Sequence, residues 1–409
     1  LSITSDRARF IPFRKKDIIT MIISDNSFKN ESDRKSFSQL CEMMESIFHF
    51  EFYKELKTLK DVYFPINPDL ESHHKSSEEE INNANDQLLI TLQKVLNDAN
   101  YDKISKKEIE KAYENSALVG ISVNIDLTDY DFVEIYTRGR RTDKFTVKKL
   151  FGLKKTEIEH VILERVLLVA RLKNTEDDSL ISSDSTIIKL FKDVPLEDLE
   201  ILFPNSKVVM SLKDKLMIAV PAIAAGVPLL VTKVIPALIV AFIIISAYFG
   251  VKGSIEENQL KQTIAVLSAL GALAGFIFKQ ISKYKSKKFH FQKELSDNLY
   301  FRNLVNNAGV FYSLIDSAEE EEFKEAILAY YFLYKTKSKL NEDTLDKEIE
   351  LWLEDKYECD IDFECSDALA KLKRLKLLET DADNYLKIID LTESLKRLDY
   401  RWDNYFKYN

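Results

Sequence analysis

Hydrophobic positions in the first third of the chain recur with a helical period. Phe37, Leu40, Met44, Ile47 and Phe48 fall on one side of a segment running from Ser36 to Leu59, the spacing of a helix that buries one stripe. Pro65 and Pro68 interrupt it, and the polar run Glu71–Glu80 reads as a loop. Ile81–Asn97 and Lys106–Leu118 are two further helical stretches. The period changes at Val119. Val119, Ile121, Val123, Ile125 and Leu127 alternate with Gly120, Ser122, Asn124 and Asp126, which predicts a half-buried strand. Phe132–Tyr136 follows a turn at Asp129–Asp131, and Thr156–Leu172 is apolar enough for two strands. Thr186–Phe191 and Lys207–Met210 add two more, around a short helix at Pro195–Leu202. The order predicts an α+β region with a mostly antiparallel sheet.

Between Leu216 and Val251 the only charged residue is Lys233, and Thr263–Phe278 has no charge at all. A helix needs about 20 apolar residues to cross a bilayer, and IPALIVAFIIISAYFGV is apolar around its whole circumference. Two transmembrane spans are therefore expected, at 230–251 and 263–281. Lys207, Lys213 and Lys215 precede the block, and Lys279, Lys283, Lys285, Lys287 and Lys288 follow it. Positive flanks mark the cytoplasmic side, so both termini are expected there. Pro221, Gly226 and Pro228 break the lead-in Leu216–Thr232, which is compatible with an interfacial piece, a kinked helix start or a third span. Ser268, Gly271 and Gly275 put small residues on the second span, a packing face for the first span or for a second copy of the chain.

Further on, the acidic run Glu319–Glu322 reads as the solvated start of a helix ending near Lys335, where carboxylates complement the helix dipole. Leu345–Tyr357 and Ser366–Leu375 are further helices, and Leu377–Glu379 and Tyr385–Ile389 flank a polar turn. Three helices and a hairpin are the order of a winged helix-turn-helix, with Lys371, Lys373, Arg374 and Lys376 on its third helix. The many acids of this region favour a packing or protein-contact role over DNA binding. The chain thus divides into an N-terminal helical region (1–118), a β-rich region (119–211), a membrane segment (212–282) and a C-terminal helical, winged-helix-like domain (283–409). The fold class expected is an α+β membrane protein with a two-helix transmembrane hairpin.

Composition adds restraint. A chain of 409 residues with net charge −9 is long enough for several cores but lacks the basic balance of a general nucleic-acid binder. Cys41, Cys359 and Cys365 are too few for a disulfide framework. The segment Leu1–Ile19 is too polar for a secretory signal, and Asp6 and Asp17 interrupt any mitochondrial presequence. No phosphate-binding loop, dinucleotide fingerprint, zinc-protease helix or serine-hydrolase elbow is present, so no catalytic residue and no cofactor is assigned. No metal site is assigned either. Cys359 and Cys365 lack a nearby histidine, His73 and His74 read as a solvated loop, His49 as part of a helix packing face and His160 as part of the sheet. Two basic segments stand out. Arg9, Arg14 and Lys15 are interleaved with Phe10 and Phe13, and Arg138, Arg140 and Arg141 surround Gly139. Both combine features of contacts to anionic ligands or lipid headgroups. The competing readings are an entry segment with its aromatics in the core, and a charged hairpin tip at Gly139.

RFIPFRKKDII (Arg9–Ile19), YTRGRR (Tyr136–Arg141), KLFKDVPLEDLEILFP (Lys189–Pro204), the apolar hairpin and Leu299–Tyr330 resemble a family of two-span membrane proteins that carries domain of unknown function 3754 and includes animal transmembrane protein 143. The resemblance implies a membrane location and two spans, and carries over no catalytic residue. Without a convincing presequence it implies a bacterial plasma (inner) membrane, the alternative being a mitochondrial membrane in a eukaryote. The partners expected are the lipid bilayer, a second copy of the chain and another protein, with nucleic acid disfavoured. Three functions fit these residues: a membrane-anchored scaffold or sensor with cytoplasmic domains, an oligomeric pore or permeability factor, and a membrane-associated enzyme acting on an anionic substrate.

Overall fold

Asn30 starts the longest N-terminal helix by accepting a hydrogen bond from the Asp33 amide. The helix then buries Phe37, Leu40, Met44, Ile47 and Phe48 along one side. Ser77 and Glu80 form a reciprocal capping box, so Glu78–Glu80 are a first helical turn rather than part of a loop. The computed structural model describes residues 7–25, 28, 30–69, 77–105, 107–108, 122–124, 127–149, 154–173, 185–204, 207–209, 212–250, 257–336, 339–381 and 385–406. Its elements are α1 (Lys15–Ser24), α2 (Glu31–Tyr63), α3 (Glu78–Asp98), β1 (Asp102–Lys103), β2 (Ser122–Asn124), β3 (Tyr130–Lys149), β4 (Lys154–Leu172), β5 (Thr186–Pro195) and β6 (Lys207–Val209). They continue as α4 (Leu212–Leu229), α5 (Ile235–Tyr248), α6 (Glu257–Arg302), β7 (Asn303–Asn306), α7 (Ala308–Lys335), α8 (Glu342–Tyr357), α9 (Cys365–Arg374), β8 (Leu378–Thr380), β9 (Leu386–Ile388) and α10 (Leu391–Asp403). Most of the predicted helix Lys106–Leu118, the ends of the predicted strand at Val119–Leu127, and His73 and His74 lie outside the described residues.

Contacts group the chain into two units, Leu1–Glu108 with Leu127–Leu196 and Arg302–Asn409, and Ile109–Asp126 with Glu197–Phe301. In the first, an antiparallel five-stranded sheet runs in the order β1-β3-β4-β5-β7. Thr156–Leu172 belongs to one long strand, β4, and not to two. Helix α7 packs against α1, α2, α3, α8 and α9 and is apolar on all sides from Ala326 to Leu333, and every residue of that stretch is buried. Leu340 bridges Leu386 between α7 and α8, so α7, Leu340, α8, α9, β8 and β9 follow the order of a winged helix-turn-helix.

In the second unit β2 pairs with β6, and α4, α5 and α6 carry the apolar block. The expected membrane-protein class is overturned here: among the described residues, no helix is long and apolar enough to cross a membrane. The first run is divided. α4 holds Lys213, Asp214 and Lys215 in its first turn and Pro221 and Pro228 within it, a π-helical turn follows at Leu230–Val234, and α5 has 14 residues. At 1.5 Å per residue α5 rises roughly 21 Å, against a hydrocarbon core of about 30 Å. The second run is one part of the 46-residue helix α6, which continues into Lys279, Lys283, Lys285, Lys287 and Lys288. The expected transmembrane hairpin at 230–251 and 263–281 is therefore withdrawn. Val240 and Ala241 pack on Ala269, and a Cβ at Gly226 would sit 3.3 Å from the Phe276 ring. Gly271 and Gly275 face open space, with no atom within 4 Å of an added Cβ, and the Ser268 hydroxyl bonds back to Ile264 O at 2.8 Å.

Candidate functional site

Helix α7 starts at Ala308, so the acidic run Glu319–Glu322 lies within it and not at a solvated start, and Glu319, Glu321, Glu322 and, beyond the run, Glu325 are buried. Burial of a charge is tolerated when it is paired and hydrogen-bonded, and each of these has found a partner far away in sequence. Glu321 is 0% exposed. It accepts from the Ile11 amide at 3.0 Å, Arg138 Nη2 at 2.5 Å and Lys324 Nζ at 2.7 Å. Lys324 also donates to the carbonyls of Ile11 and Phe13, at 2.6 and 3.0 Å. Burial lowers its pKa, opposed by Glu321. Two residues before Glu321, Glu319 meets Lys15 at 3.0 Å and His49 at 2.8 Å.

Arg138 reaches Glu321 from the middle of β3. Residues 136–141 are not a hairpin tip: β3 runs straight through them, with Arg138 opposite Arg165 and Arg140 opposite Leu163. Gly139 has φ +76 and sits against Phe10 and Glu164. The Arg138 guanidinium stacks 4.8 Å from the Phe10 ring. The two basic segments of the sequence thus meet on one side of the sheet, and the glycine is required by both φ and space. A Cβ there would lie 2.7 Å from Glu164 Oε2 and 3.0 Å from the Phe10 ring. Gly139→Val is expected to lower the urea midpoint by the equivalent of about 2–4 kcal/mol; a change below 1 kcal/mol would show that Phe10 can leave this position at little cost.

The second half of the network centres on Lys371 of α9, 4% exposed. Its ammonium lies 2.8 Å from Glu322, 2.5 Å from Glu325 and 3.0 Å from Asp367. Burial acts to lower the Lys371 pKa, but these three carboxylates outweigh it and hold the lysine charged. One ammonium cannot neutralise three carboxylates, and the second cation near them, Arg374, lies 3.8 Å from Glu322 and is shared with Glu51. Burial prevails at Glu322 and at Glu325, each pushed up to about 7, with Lys371 opposing. The two share one cation, so they titrate as a cluster. Asn100 donates to Glu325 at 2.9 Å.

A cleft of about 210 Å³ opens beside this cluster, lined by Glu51, Phe52 and Glu55 of α2, Lys94 and Asp98 of α3, Glu322, and Asp367, Ala370, Lys371 and Arg374 of α9. Arg374 pairs with Glu51 at 2.8 Å, and Lys94 pairs with Glu55. Burial raises Asp98 to about 6, against the pull of Lys371 and Lys94. The side of α9 carrying Lys371 and Arg374 therefore looks onto carboxylates of its own chain. Among the described residues no group of histidine, cysteine and acidic side chains has the geometry of a metal site, and Cys41, Cys359 and Cys365 are free thiols buried in the fold.

The residues singled out in the sequence as anion contacts all carry internal carboxylate partners. Arg9 pairs with Asp102 at 2.7 Å and with Glu364, and Arg14 with Asp17 at 2.8 Å. Lys15 pairs with Glu45 and Glu319, and Arg138 with Glu321. Arg140 lies 3.5 Å from Glu108, and Arg141 2.8 Å from Asp193. Glu321, Glu322, Glu325 and Lys371 are the residues that a reading of charge runs misses. The available signal was the apolar stretch Ala326–Leu333, which leaves no solvent face for the helix that carries the three glutamates.

Residues 160–309 match the model of a family described as "Protein of unknown function (DUF3754)". The chain therefore carries this domain, which runs from within β4, through the second unit, to the first turn of α7. No solved structure matches the chain.

Proposed function

We propose that the chain is a non-enzymatic sensor scaffold whose input is the protonation state of the carboxylates around Lys371. The observation that carries the reading is the geometry of one buried ammonium inside three carboxylates, with Asp98 on the wall of the same cleft. The cluster ties α9 to α7, and Glu51 ties α2 to Arg374 and Arg401. A change of charge there changes how firmly the C-terminal helices are held. Surplus negative charge in a low-dielectric site takes up a proton near neutrality, which fits the raised values of Glu322 and Glu325.

The sign follows from linkage. Both glutamates have folded pKa values above their ordinary 4.5. The folded state therefore binds the cluster proton more tightly than the unfolded chain. Their contribution to stability is full below about 4.5 and is lost as pH rises through about 7, at roughly 1.4 kcal/mol per pH unit for each proton. Trp402 stacks edge-on against Phe50 of α2, with centroids 6.1 Å apart, and so reports on this packing. Its fluorescence is expected to titrate with a midpoint near pH 7 in the parent protein. Glu325→Gln, which copies the protonated form, should flatten both the fluorescence titration and the fall of urea stability from pH 5.5 to 8. Identical titrations for parent and variant would remove the sensor reading.

A further inference from the structure

A second concave site lies where α10 meets the end of α9. Glu393, Lys396, Arg397, Tyr400, Arg401 and Asn404 recur at helical spacing on one side of α10 and its cap, and face Leu375 and Lys376 at the end of α9 across a groove of about 650 Å³. That volume is within the range of small-molecule sites, and the groove runs roughly 16 Å along the helix. Its frame is anchored. Arg397 Nη1 donates to Lys376 O at 2.8 Å, and Arg401 Nη1 to Arg374 O at 3.1 Å. Each arginine thereby satisfies a carbonyl at the end of α9, where helical carbonyls lack partners. The Arg397 Nε is held by Glu393 at 3.1 Å.

The two lysines differ from the arginines. Lys376 and Lys396 are exposed, and neither ammonium has a carboxylate partner among the described residues. Lys376 is held in the left-handed region at φ +59. Arg397 is paired with Glu393 and Glu379, and Arg401 with Glu51, so Lys376 and Lys396 are the two cations of the groove left for a ligand. Tyr400, 65% exposed, offers a flat ring midway along the same wall. Cations spaced beside an aromatic face suit a ligand with a phosphate at one end and a planar ring at the other.

We propose that this groove binds a small phosphate ester of a flat heteroaromatic ring, the class to which nucleotides belong. Lys376 and Lys396 meet the phosphate, Tyr400 stacks on the ring, and Glu393 and Asn404 take its polar edge. Arg401 links the groove to Glu51 of the Lys371 cleft, but the proposed ligand contacts at Lys376, Lys396 and Tyr400 lie outside that cleft and do not depend on the sensor reading. Calorimetric titration of the full chain with ADP and, separately, with inorganic pyrophosphate tests it. ADP is expected to bind saturably, with Lys396→Glu weakening it at least tenfold and Lys376→Glu/Lys396→Glu abolishing it. Tyr400→Ala should weaken ADP several-fold and leave pyrophosphate unchanged. Because all three side chains are exposed, an unchanged urea midpoint is expected alongside. No saturable ADP binding, an affinity indifferent to Lys396→Glu, or tighter binding of a hexaglutamate peptide than of ADP would each overturn the assignment.

Discussion

Replacing Glu321 with alanine is expected to lower the unfolding free energy by about 3–5 kcal/mol, read as a shift in urea midpoint at unchanged slope. The carboxylate is 0% exposed and is the meeting point of Arg138, Lys324 and the Ile11 amide. Without it, Lys324 keeps the Ile11 and Phe13 carbonyls but loses its counter-charge. Arg138, whose Nε already has no hydrogen-bond partner, is left with Phe10 and Tyr101 and no counter-charge at this contact. The cost is mostly that of two stranded cations, not the worth of the contacts removed. Replacing Glu321, Arg138 and Lys324 together with leucine, leucine and methionine should therefore recover much of the loss. A single variant within 1 kcal/mol of the parent would mean that water reaches these groups. A triple variant as unstable as the single one would place the cost in packing.

What could be read from the sequence follows the period of burial. α2 buries one stripe of a long helix, so Phe37, Leu40, Met44, Ile47 and Phe48 announce it. The β5 region shows itself through runs of branched residues in the same way. Partner choice leaves no such trace. Arg138 and Glu321 are 183 positions apart and Arg9 and Glu364 are 355 apart, so charge runs look alike whether they face water or each other. Gly139 misled for a related reason. A glycine among arginines suggests a turn, yet here it lets an aromatic ring from Phe10 lie on a continuous strand. Pro221 and Pro228 mark the lead-in as broken, yet they lie within one helix; the division comes at the π-helical turn Leu230–Val234, inside the first expected span, and composition does not register it.

Lys371→Met should show the second large effect, and its pH dependence separates charge from packing. Methionine fills a similar volume, so the α7–α9 contact survives, but Glu322 and Glu325 lose the ammonium that lies 2.8 and 2.5 Å away. Burial already raises both glutamates, and removing the opposing cation raises them further. The folded cluster then binds protons still more tightly than the unfolded chain, so the fall in stability with rising pH steepens and extends above pH 7. The loss is expected to reach about 3–5 kcal/mol at pH 8 and to shrink by more than half at pH 5.5, where the carboxylates are neutral and need no cation. Asp25 serves as an internal contrast. Burial pushes it up, but Lys356, Tyr331 and Lys335 hold it at about 2, so its contribution disappears only as pH falls below the ordinary 3.8 towards 2, outside the window compared here. Urea titrations of the parent and Lys371→Met at the two pH values decide the matter. A loss equal at both would assign Lys371 to packing alone and would leave the cluster without a charge to sense.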